Sequence, residues 1–247
     1  MRLDKYLAQS GERSRSEAAR AVRAGLVRVR GELARDPAMQ LAPADEVTLR
    51  GQVVADSALQ YFMLHKPAGV LTAARDSRAQ TVMSLVPSAL LKRDVLPVGR
   101  LDKDTTGLLL LTNDGALAHD LLSPKKHVWK RYVLSVSGKL DADDVRAFAE
   151  GVQLSDFTAK PAKLLILEIS ESQSRAEVEI REGKFHQIKR MCAARGHEVL
   201  ALHRASFGSL TLDETLAPGQ FRALTPEELA ALRRCAQAPQ KEGNTDA

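Results

Sequence analysis

Residues 99–115, GRLDKDTTGLLLLTNDG, join a short polar segment to an apolar run, and this junction decides how the larger part of the chain folds. The four leucines at 108–111 are followed by the turn-forming residues Asn113-Asp114-Gly115, so the pattern predicts a buried strand followed by a turn. Two acids, Asp102 and Asp104, precede the strand. Considered alone, an aspartate in such a segment is typical of a turn former or a cap. The residue types by themselves do not decide between that role and a catalytic one.

Irregularly spaced strand and helix patterns surround this segment. Strands are predicted from residue 61 to a break at Pro67 and at 130–138, 164–170, 174–182 and 199–212, and helices at 116–122, 185–196 and 225–232. Runs of strands interrupted by isolated helices, without regular alternation, predict an α+β fold with a mainly antiparallel sheet flanked by helices.

The amino-acid composition restricts the class of protein to which the chain can belong. The 247 residues, 44% hydrophobic and 27% charged, suit a small domain beside a larger one. Two cysteines, Cys192 and Cys235, cannot build a disulfide framework or a four-cysteine zinc site, so a reducing cytoplasm is expected. No apolar stretch approaches the ~18 residues of a membrane span, and the start MRLDKYLAQ does not resemble a signal peptide. No nucleotide-binding loop, metal motif or nucleophile elbow is present, so neither a cofactor nor a metal is expected.

Positive charge is concentrated near the start of the chain. Residues 2–30 contain eight basic side chains and three acidic ones, within a chain of net charge +5 and pI about 9.3. Ser14 and Glu17 have the spacing of a capping box, and Gly25 is a stop signal, so a helix is predicted between them. We expect it to bury Ala18, Ala19 and Val22 and to expose its arginines. A solvated charged face is the alternative interpretation.

The strand after this helix alternates valines with arginines, so helix and strand can present cations together, as phosphate binding requires. The whole stretch 1–54 resembles the S4-type RNA-binding domain, a small α/β module. The resemblance predicts an RNA-binding domain at 1–55 and a linker, ADSALQ, at 55–60. It implies that structured RNA is contacted by Arg2, Lys5, Arg15, Arg20 and Arg23.

Two further segments carry reactive side chains in the larger part. KRY at 130–132 contains a phenol between strand residues, and EGKFHQIKRM at 182–191 contains a histidine and several cations. With Asp102 they can supply a carboxylate, a phenol and a cation to one basic pocket. Taken singly, Tyr132 fits a core aromatic, and Lys189 with Arg190 fits a solvated helix face.

Together with HKPAG at 65–69, these segments resemble, in the same order, the motifs of pseudouridine synthases of the RsuA type. The resemblance implies a catalytic domain at 61–233 and leaves a tail, 234–247, expected to be disordered. It implies an enzyme that flips a uridine out of RNA and isomerises it to pseudouridine. HKPAG has His65 where many members have asparagine, in a segment that looks structural.

By the same resemblance Asp102 is the essential aspartate, either a nucleophile at C1′ or a base at the 2′ position. Lys189, which replaces the arginine of many members, is expected to pair with Asp102, and Tyr132 to stack on the base. Asp104 is expected to shape the loop. The substrate is expected to contact Arg100, Leu101, Lys130, Lys184, His186, Gln187 and Arg190.

The connecting residues most resemble the branch acting on small-subunit (16S) ribosomal RNA, either free or in a ribosome assembly intermediate, and we expect a monomer. A large-subunit (23S) enzyme is the runner-up. A non-catalytic RNA-binding or ribosome-assembly protein is a second alternative, disfavoured by the intact set of Asp102, Tyr132 and Lys189. A methyltransferase would need a glycine-rich loop after a strand, and the sequence has none.

Overall fold

The structure, a computed structural model, describes residues 1–9, 14–42, 45–54, 59–91 and 94–237. Contacts divide it into two units that meet in the sequence between Gln60 and Tyr61. Each unit has a hydrophobic core of its own. Most of the predicted linker, residues 55–58, lies outside the described residues.

The first unit contains two helices and four short strands: α1 (Leu3–Gln9), α2 (Arg15–Arg23), β1 (Val27–Val29), β2 (Glu32–Leu33), β3 (Val47–Leu49) and β4 (Gln52–Val53). The strands form one antiparallel sheet in the order β2-β1-β3-β4. Arg28 is exposed between two buried valines of β1, as the alternation predicts.

Helix α2 begins at the predicted capping box. The Ser14 hydroxyl accepts from the Glu17 N–H, while the Glu17 carboxylate accepts from the Ser14 N–H, so two free helix donors are satisfied. The buried stripe is Ala18, Ala21 and Val22. The prediction of Ala19 was wrong, because it lies about 100° of helix rotation from Ala18 and flanks the stripe.

The second unit begins with strands that pack around the quoted segment. Its strands are β5 (Tyr61–Lys66), β6 (Leu96–Pro97), β7 (Thr106–Thr112), β8 (Lys130–Ser137), β9 (Lys163–Ile169), β10 (Gln173–Ile180), β11 (Val199–Phe207), β12 (Leu210–Thr211) and β13 (Phe221–Ala223). Its α-helices are α3 (Gly115–Leu122), α4 (Ala142–Glu150), α5 (Gln187–Ala194) and α6 (Pro226–Gln237).

These strands form one sheet, in the order β13-β5-β7-β11-β8-β10-β9, with β6 and β12 paired at its side. Among the described strands, only β7 and β11 run parallel, and the predicted mainly antiparallel α+β fold is confirmed. Within the described residues, no helix has the length and apolar character needed to cross a lipid bilayer.

Strand β7 lies inside the sheet with both of its faces covered. Leu109 and Leu111 belong to the core on one face, and Leu108 and Leu110 to the core on the other. All four side chains are completely buried, which explains why the sequence shows an unbroken apolar run instead of alternation. The loop that precedes β7 is therefore attached to the most enclosed strand of the unit.

Several elements differ from the sequence-based expectation. No element was predicted between 138 and 162, where α4 forms. Helix α5 begins at Gln187 instead of 185, because His186 has a left-handed backbone (φ +49°) at the N-cap. The tail was predicted to begin at 234, but α6 continues to Gln237; residues 238–247 lie outside the described residues.

Candidate active site

A buried lysine binds the backbone of the loop that carries Asp102. Lys66, at the end of β5, is 0% exposed, and its Nζ donates to the carbonyls of Pro67 (3.0 Å), Lys103 (3.2 Å) and Thr105 (2.9 Å). Burial lowers the pKa of the Lys66 ammonium to about 8. Three backbone carbonyls thus replace the water that this charge has lost.

The other end of the loop is held by the residues that follow Lys66. The Thr72 hydroxyl donates to the Leu101 carbonyl (2.8 Å) and accepts from the Leu101 N–H (3.2 Å), while the Gly69 N–H donates to Lys103 (2.8 Å). The backbone on both sides of Asp102 is therefore fixed. The HKPAG motif and Thr72 position the loop that carries Asp102 without lining the cavity themselves.

Asp102 faces two basic side chains from the start of α5. Its Oδ1 lies 3.5 Å from Nε2 of His186, and its Oδ2 lies 3.6 Å from Nζ of Lys189. The left-handed backbone at His186 turns this ring toward the loop, whereas Lys189 reaches it from the first turn of the helix. The carboxylate is partly enclosed, with 28% of its side chain exposed.

Lys189 makes its hydrogen bonds with the other acid of the loop. Its Nζ lies 2.6 and 2.7 Å from the two carboxylate oxygens of Asp104, whose side chain is 72% exposed. This contact lowers the pKa of Asp104. The expected Lys189–Asp102 pair is present at the longer distance, and Asp104, which was expected to shape the loop, also holds the lysine.

A cavity opens directly above Asp102. Apolar side chains of Ile180, Ile188 and Leu202 form part of its wall, and Tyr132, only 7% exposed, lines it from β8. Eight of the ten predicted catalytic and substrate-binding residues line this cavity: Arg100, Leu101, Asp102, Tyr132, Lys184, His186, Gln187 and Lys189.

The remaining two predicted residues have other surroundings. Arg190 pairs with Asp156 and lies over the Phe157 ring, outside the cavity, so its expected contact with the substrate stays a prediction. Successive helix residues point about 100° apart, which separates Arg190 from Lys189. Lys130 is buried beside a neighbouring cavity that also contacts Tyr132.

Gln187 contributes to the site mainly as a support. Its amide nitrogen donates to Glu182 (2.7 Å), and its amide oxygen accepts from the Lys184 N–H (3.0 Å). The side chain is buried, so these bonds fix the turn between β10 and α5. Phe185 in the same turn is 76% exposed and stacks on His186, with ring centroids 3.9 Å apart.

The predicted RNA-contacting residues of the first unit divide into two groups. Arg2 and Arg15 both pair with Asp4, at 2.8 and 3.4 Å. Lys5, Arg20 and Arg23 are exposed, and the described residues show no ion pair for them. The three exposed cations are free to meet an anionic partner.

Among the described residues, no group of three or more histidine, cysteine, aspartate or glutamate side chains is placed to hold a metal ion. An enclosed carboxylate facing a lysine and a histidine, with a tyrosine in the same wall, is an arrangement typical of enzyme active sites, so this cavity is the candidate active site.

Comparison with known proteins identifies the class of enzyme. The family model described as RNA pseudouridylate synthase matches residues 60–194, more than half of the chain, and the S4 domain model matches residues 1–47. The chain belongs to the RNA pseudouridylate synthase family and carries an S4 domain, as both resemblances predicted.

Individual relatives cover nearly the whole chain. An uncharacterised RNA pseudouridine synthase of Bacillus subtilis (strain 168) is 45% identical over 234 residues, covering 94% of this chain and 98% of that protein. The ribosomal small subunit pseudouridine synthase A of Yersinia pestis is 40% identical over 235 residues, with coverage of 94% and 98%. A crystal structure of a pseudouridylate synthase is 36% identical, covers 94% and 99%, and superposes with a TM-score of 0.66.

Sequence reasoning missed the supporting residues. Neither the clamp by Thr72 nor the three bonds from Lys66 was predicted, and Asp104 was not expected to compete for Lys189. The HKPAG motif is the signal that pointed to a structural segment here. Its partner in space is not readable from the sequence, since Thr72 and Leu101 are 29 positions apart.

Proposed function

We propose that this enzyme isomerises a specific uridine of small-subunit (16S) ribosomal RNA to pseudouridine. The relative from Yersinia pestis, similar over nearly its whole length, is named for the small ribosomal subunit, which supports this substrate. The observation that carries the chemistry is the enclosed Asp102, within 3.6 Å of both His186 and Lys189 in the cavity that contains Tyr132.

Each cavity residue has a role in this proposal. Asp102, which faces Lys189 and His186, either attacks C1′ or removes the 2′ proton. The N1–C1′ bond breaks, the base rotates, C5 bonds to C1′, and the C5 proton leaves as N1 gains one. Tyr132 stacks on the base and assists that proton loss. No atom or electron is gained or lost overall, so these steps need no redox partner.

The uridine has to leave the RNA stack before it can reach Asp102. Flipping costs a few kcal/mol, which stacking and phosphate contacts offset. The apolar wall of Ile180, Ile188 and Leu202 fits a planar base, and Arg100 and Lys184 at the same cavity fit its anionic backbone. We infer that the enzyme acts as a monomer in the cytoplasm, on RNA or on a ribosome assembly intermediate.

Tritium release from 5-³H-uridine in RNA tests the activity directly, because the C5 hydrogen is lost only when the new bond forms. We expect release from 16S transcripts or assembly intermediates and none from 23S transcripts. Release from 23S alone would replace the substrate with the runner-up. Binding to both without any release would contradict the enzyme hypothesis and leave a non-catalytic RNA-binding protein.

The two acids of the loop provide a matched pair of variants. Asp102→Asn is expected to lower the single-turnover rate at least 1,000-fold, on the order of 4 kcal/mol of barrier, with RNA affinity unchanged within about threefold. Asp104→Asn removes only the outer contact of Lys189 and is expected to lower the rate by no more than about tenfold. Equal losses in the two variants would contradict the assignment of Asp102.

A further inference from the structure

A second cavity, of about 380 Å³, adjoins the active-site cavity. Arg100, Tyr132, Gly183 and Lys184 line both of them, so the two spaces share a wall. Six cationic side chains line the second cavity, against the single acid Glu182: Arg100, Lys130, Lys160, Arg181, Lys184 and Arg204. None of the site residues discussed so far explains this excess of positive charge.

The deepest of these cations is Arg204, which is 2% exposed. Its Nε donates to the Leu108 carbonyl (2.8 Å), but its Nη2 is buried and has no hydrogen-bond partner. The described residues place no carboxylate within ion-pair distance of it. Burying a guanidinium without a counter-charge is unfavourable, so the fold maintains a charge that lacks its partner.

Lys130 lies beside Arg204 and is also buried. Its Nζ donates to the Val128 carbonyl (3.0 Å), and both cations lie over the ring of Phe207, at 5.3 and 5.1 Å from its centroid. Burial, and then the nearby Arg204, lower the pKa of Lys130 to about 8. Two like charges are thus held together in an enclosed space.

The only acid of the wall is already engaged. One oxygen of Glu182 accepts from the Lys160 N–H (2.8 Å) and from the Gln187 side chain (2.7 Å). The Gln187 bond holds the turn before α5, and the Lys160 bond ties that turn to the segment before β9. The net charge that the cavity offers to a ligand stays strongly positive.

The sheet register places these cations next to the base-binding tyrosine. Arg204 on β11 is the register partner of Tyr132 on β8, and Lys130 lies two residues before Tyr132. Residues paired across an antiparallel sheet, and residues two apart along a strand, point to the same face. A nucleotide whose base stacks on Tyr132 therefore has its sugar and phosphate within reach of both cations.

We propose that this cavity is a phosphate subsite, which binds a backbone phosphate directly flanking the target uridine. This inference rests on the proposed function. The phosphate supplies the anion that Arg204 and Lys130 lack. The bound phosphate also anchors the ribose half of the substrate while the detached base rotates. Anchoring one fragment preserves the alignment that the second bond formation requires.

Calorimetric binding of small ligands to the full chain tests this subsite without the longer RNA that the S4 domain is expected to contact. We expect uridine 5′-monophosphate or uridine 3′-monophosphate to bind at least tenfold more tightly than uridine or inorganic phosphate. In Lys130→Met and in the less buried Arg181→Gln, that preference should fall below about threefold, with uridine affinity unchanged. Lys139→Gln, an exposed lysine outside both cavities, is the matched control and should keep the full preference.

Two results would overturn the subsite: monophosphates binding no more tightly than uridine, or inorganic phosphate binding as tightly as the better monophosphate. The second would show an anion site independent of substrate. The measurement does not depend on turnover. If the protein releases tritium but shows no preference for the monophosphates, only the subsite is contradicted. If it shows the preference but releases no tritium, the proposed function is contradicted.

Discussion

At the scale of single residues, the two acids of the quoted segment have separate surroundings. Asp102 lies between His186 and Lys189 inside the cavity, and Asp104 is exposed and holds the lysine from outside. The sequence pattern alone predicts only that acids precede a buried strand, and the resemblance to a family selects Asp102. How Lys189 divides its contacts depends on a flexible side chain 85 positions away from Asp104, which no local pattern encodes.

Lys66 provides a test by pH. Its pKa is about 8 in the folded protein, below the ordinary lysine value of 10.5 that applies to the unfolded chain, so between these values the unfolded chain holds the extra proton. The free energy of unfolding of the wild type should therefore rise relative to that of Lys66→Met as the pH increases from 8 to 10.5. The slope is at most about 1.4 kcal/mol per pH unit. Urea titrations followed by the fluorescence of Trp129, the only tryptophan, measure it.

An exposed lysine is the control for this titration. Lys139→Met removes a solvated ammonium, so its difference from the wild type should stay constant over the same pH range. A difference between the wild type and Lys66→Met that did not change above pH 8 would show that the Lys66 ammonium keeps its ordinary titration. The clamp would then be a weaker constraint on the loop than its three bonds indicate.

At the scale of elements, strong periodic signals were predictive and weak ones were not. The four leucines of β7 and the capping box of α2 are found as predicted, because each depends on neighbouring residues. Helix α4 was missed since its capping box uses Asp144 where glutamate or glutamine is usual, although it buries Phe148. The start of α5 depends on the backbone of His186, which turns toward a loop far away in the sequence.

Gly107 gives the element-scale prediction. A Cβ at this position, where φ is +107°, would lie 2.3 Å from the Arg204 carbonyl oxygen and 2.6 Å from its nitrogen, both in the paired strand β11. Gly107→Ala must separate β7 from β11 or change their backbones, so we expect a loss of about 3 kcal/mol or more in urea unfolding. RNA binding by the first unit should be unchanged.

The matched control lies a few residues further on. Gly115 begins α3, and a Cβ there meets nothing within 4 Å. Gly115→Ala should therefore be neutral or stabilise the protein by up to about 1 kcal/mol, since alanine is the better helix former. Similar destabilisation by both substitutions would mean that the close approach of Gly107 to Arg204 is not the reason why a larger residue is not tolerated at position 107.

At the scale of the whole molecule, the chain has two units with separate cores, and in our proposal the first binds RNA while the second carries the chemistry. The charge asymmetry of residues 2–30 was readable from the sequence, as was the division near residue 60. What the sequence did not reveal is that Asp4 pairs with both Arg2 and Arg15. That contact needs a fold that brings the start of α2 against α1, so the number of free cations is smaller than the charge count indicates.

The exposed pair Arg20 and Arg23 should carry affinity without carrying chemistry. The double variant Arg20→Gln, Arg23→Gln is expected to weaken RNA binding and to reduce the slope of log Kd against log salt by about 1 to 2. The single-turnover rate at saturating RNA should be unchanged. Binding titrations at several salt concentrations test this.

Arg146→Gln is the comparison variant for that titration, because Arg146 is an exposed arginine of the second unit that pairs with Asp143. Its salt slope should equal that of the wild type. An unchanged slope in the arginine double variant would remove these two side chains from the RNA-binding surface and shift attention to Lys5.

The enclosure of β7 has a consequence for how the active site adapts to its substrate. The wall that bears Asp102 is attached to a strand buried on both faces and clamped by Lys66 and Thr72, so it has no room to yield. The facing wall, residues 183–186, is largely exposed. The two walls of the cavity are thus unequal, since one is fixed by buried contacts and the other carries exposed side chains. Because Gln187 also holds the backbone of the opposite wall, any accommodation between RNAs of different local shape is expected from exposed side chains such as Lys184.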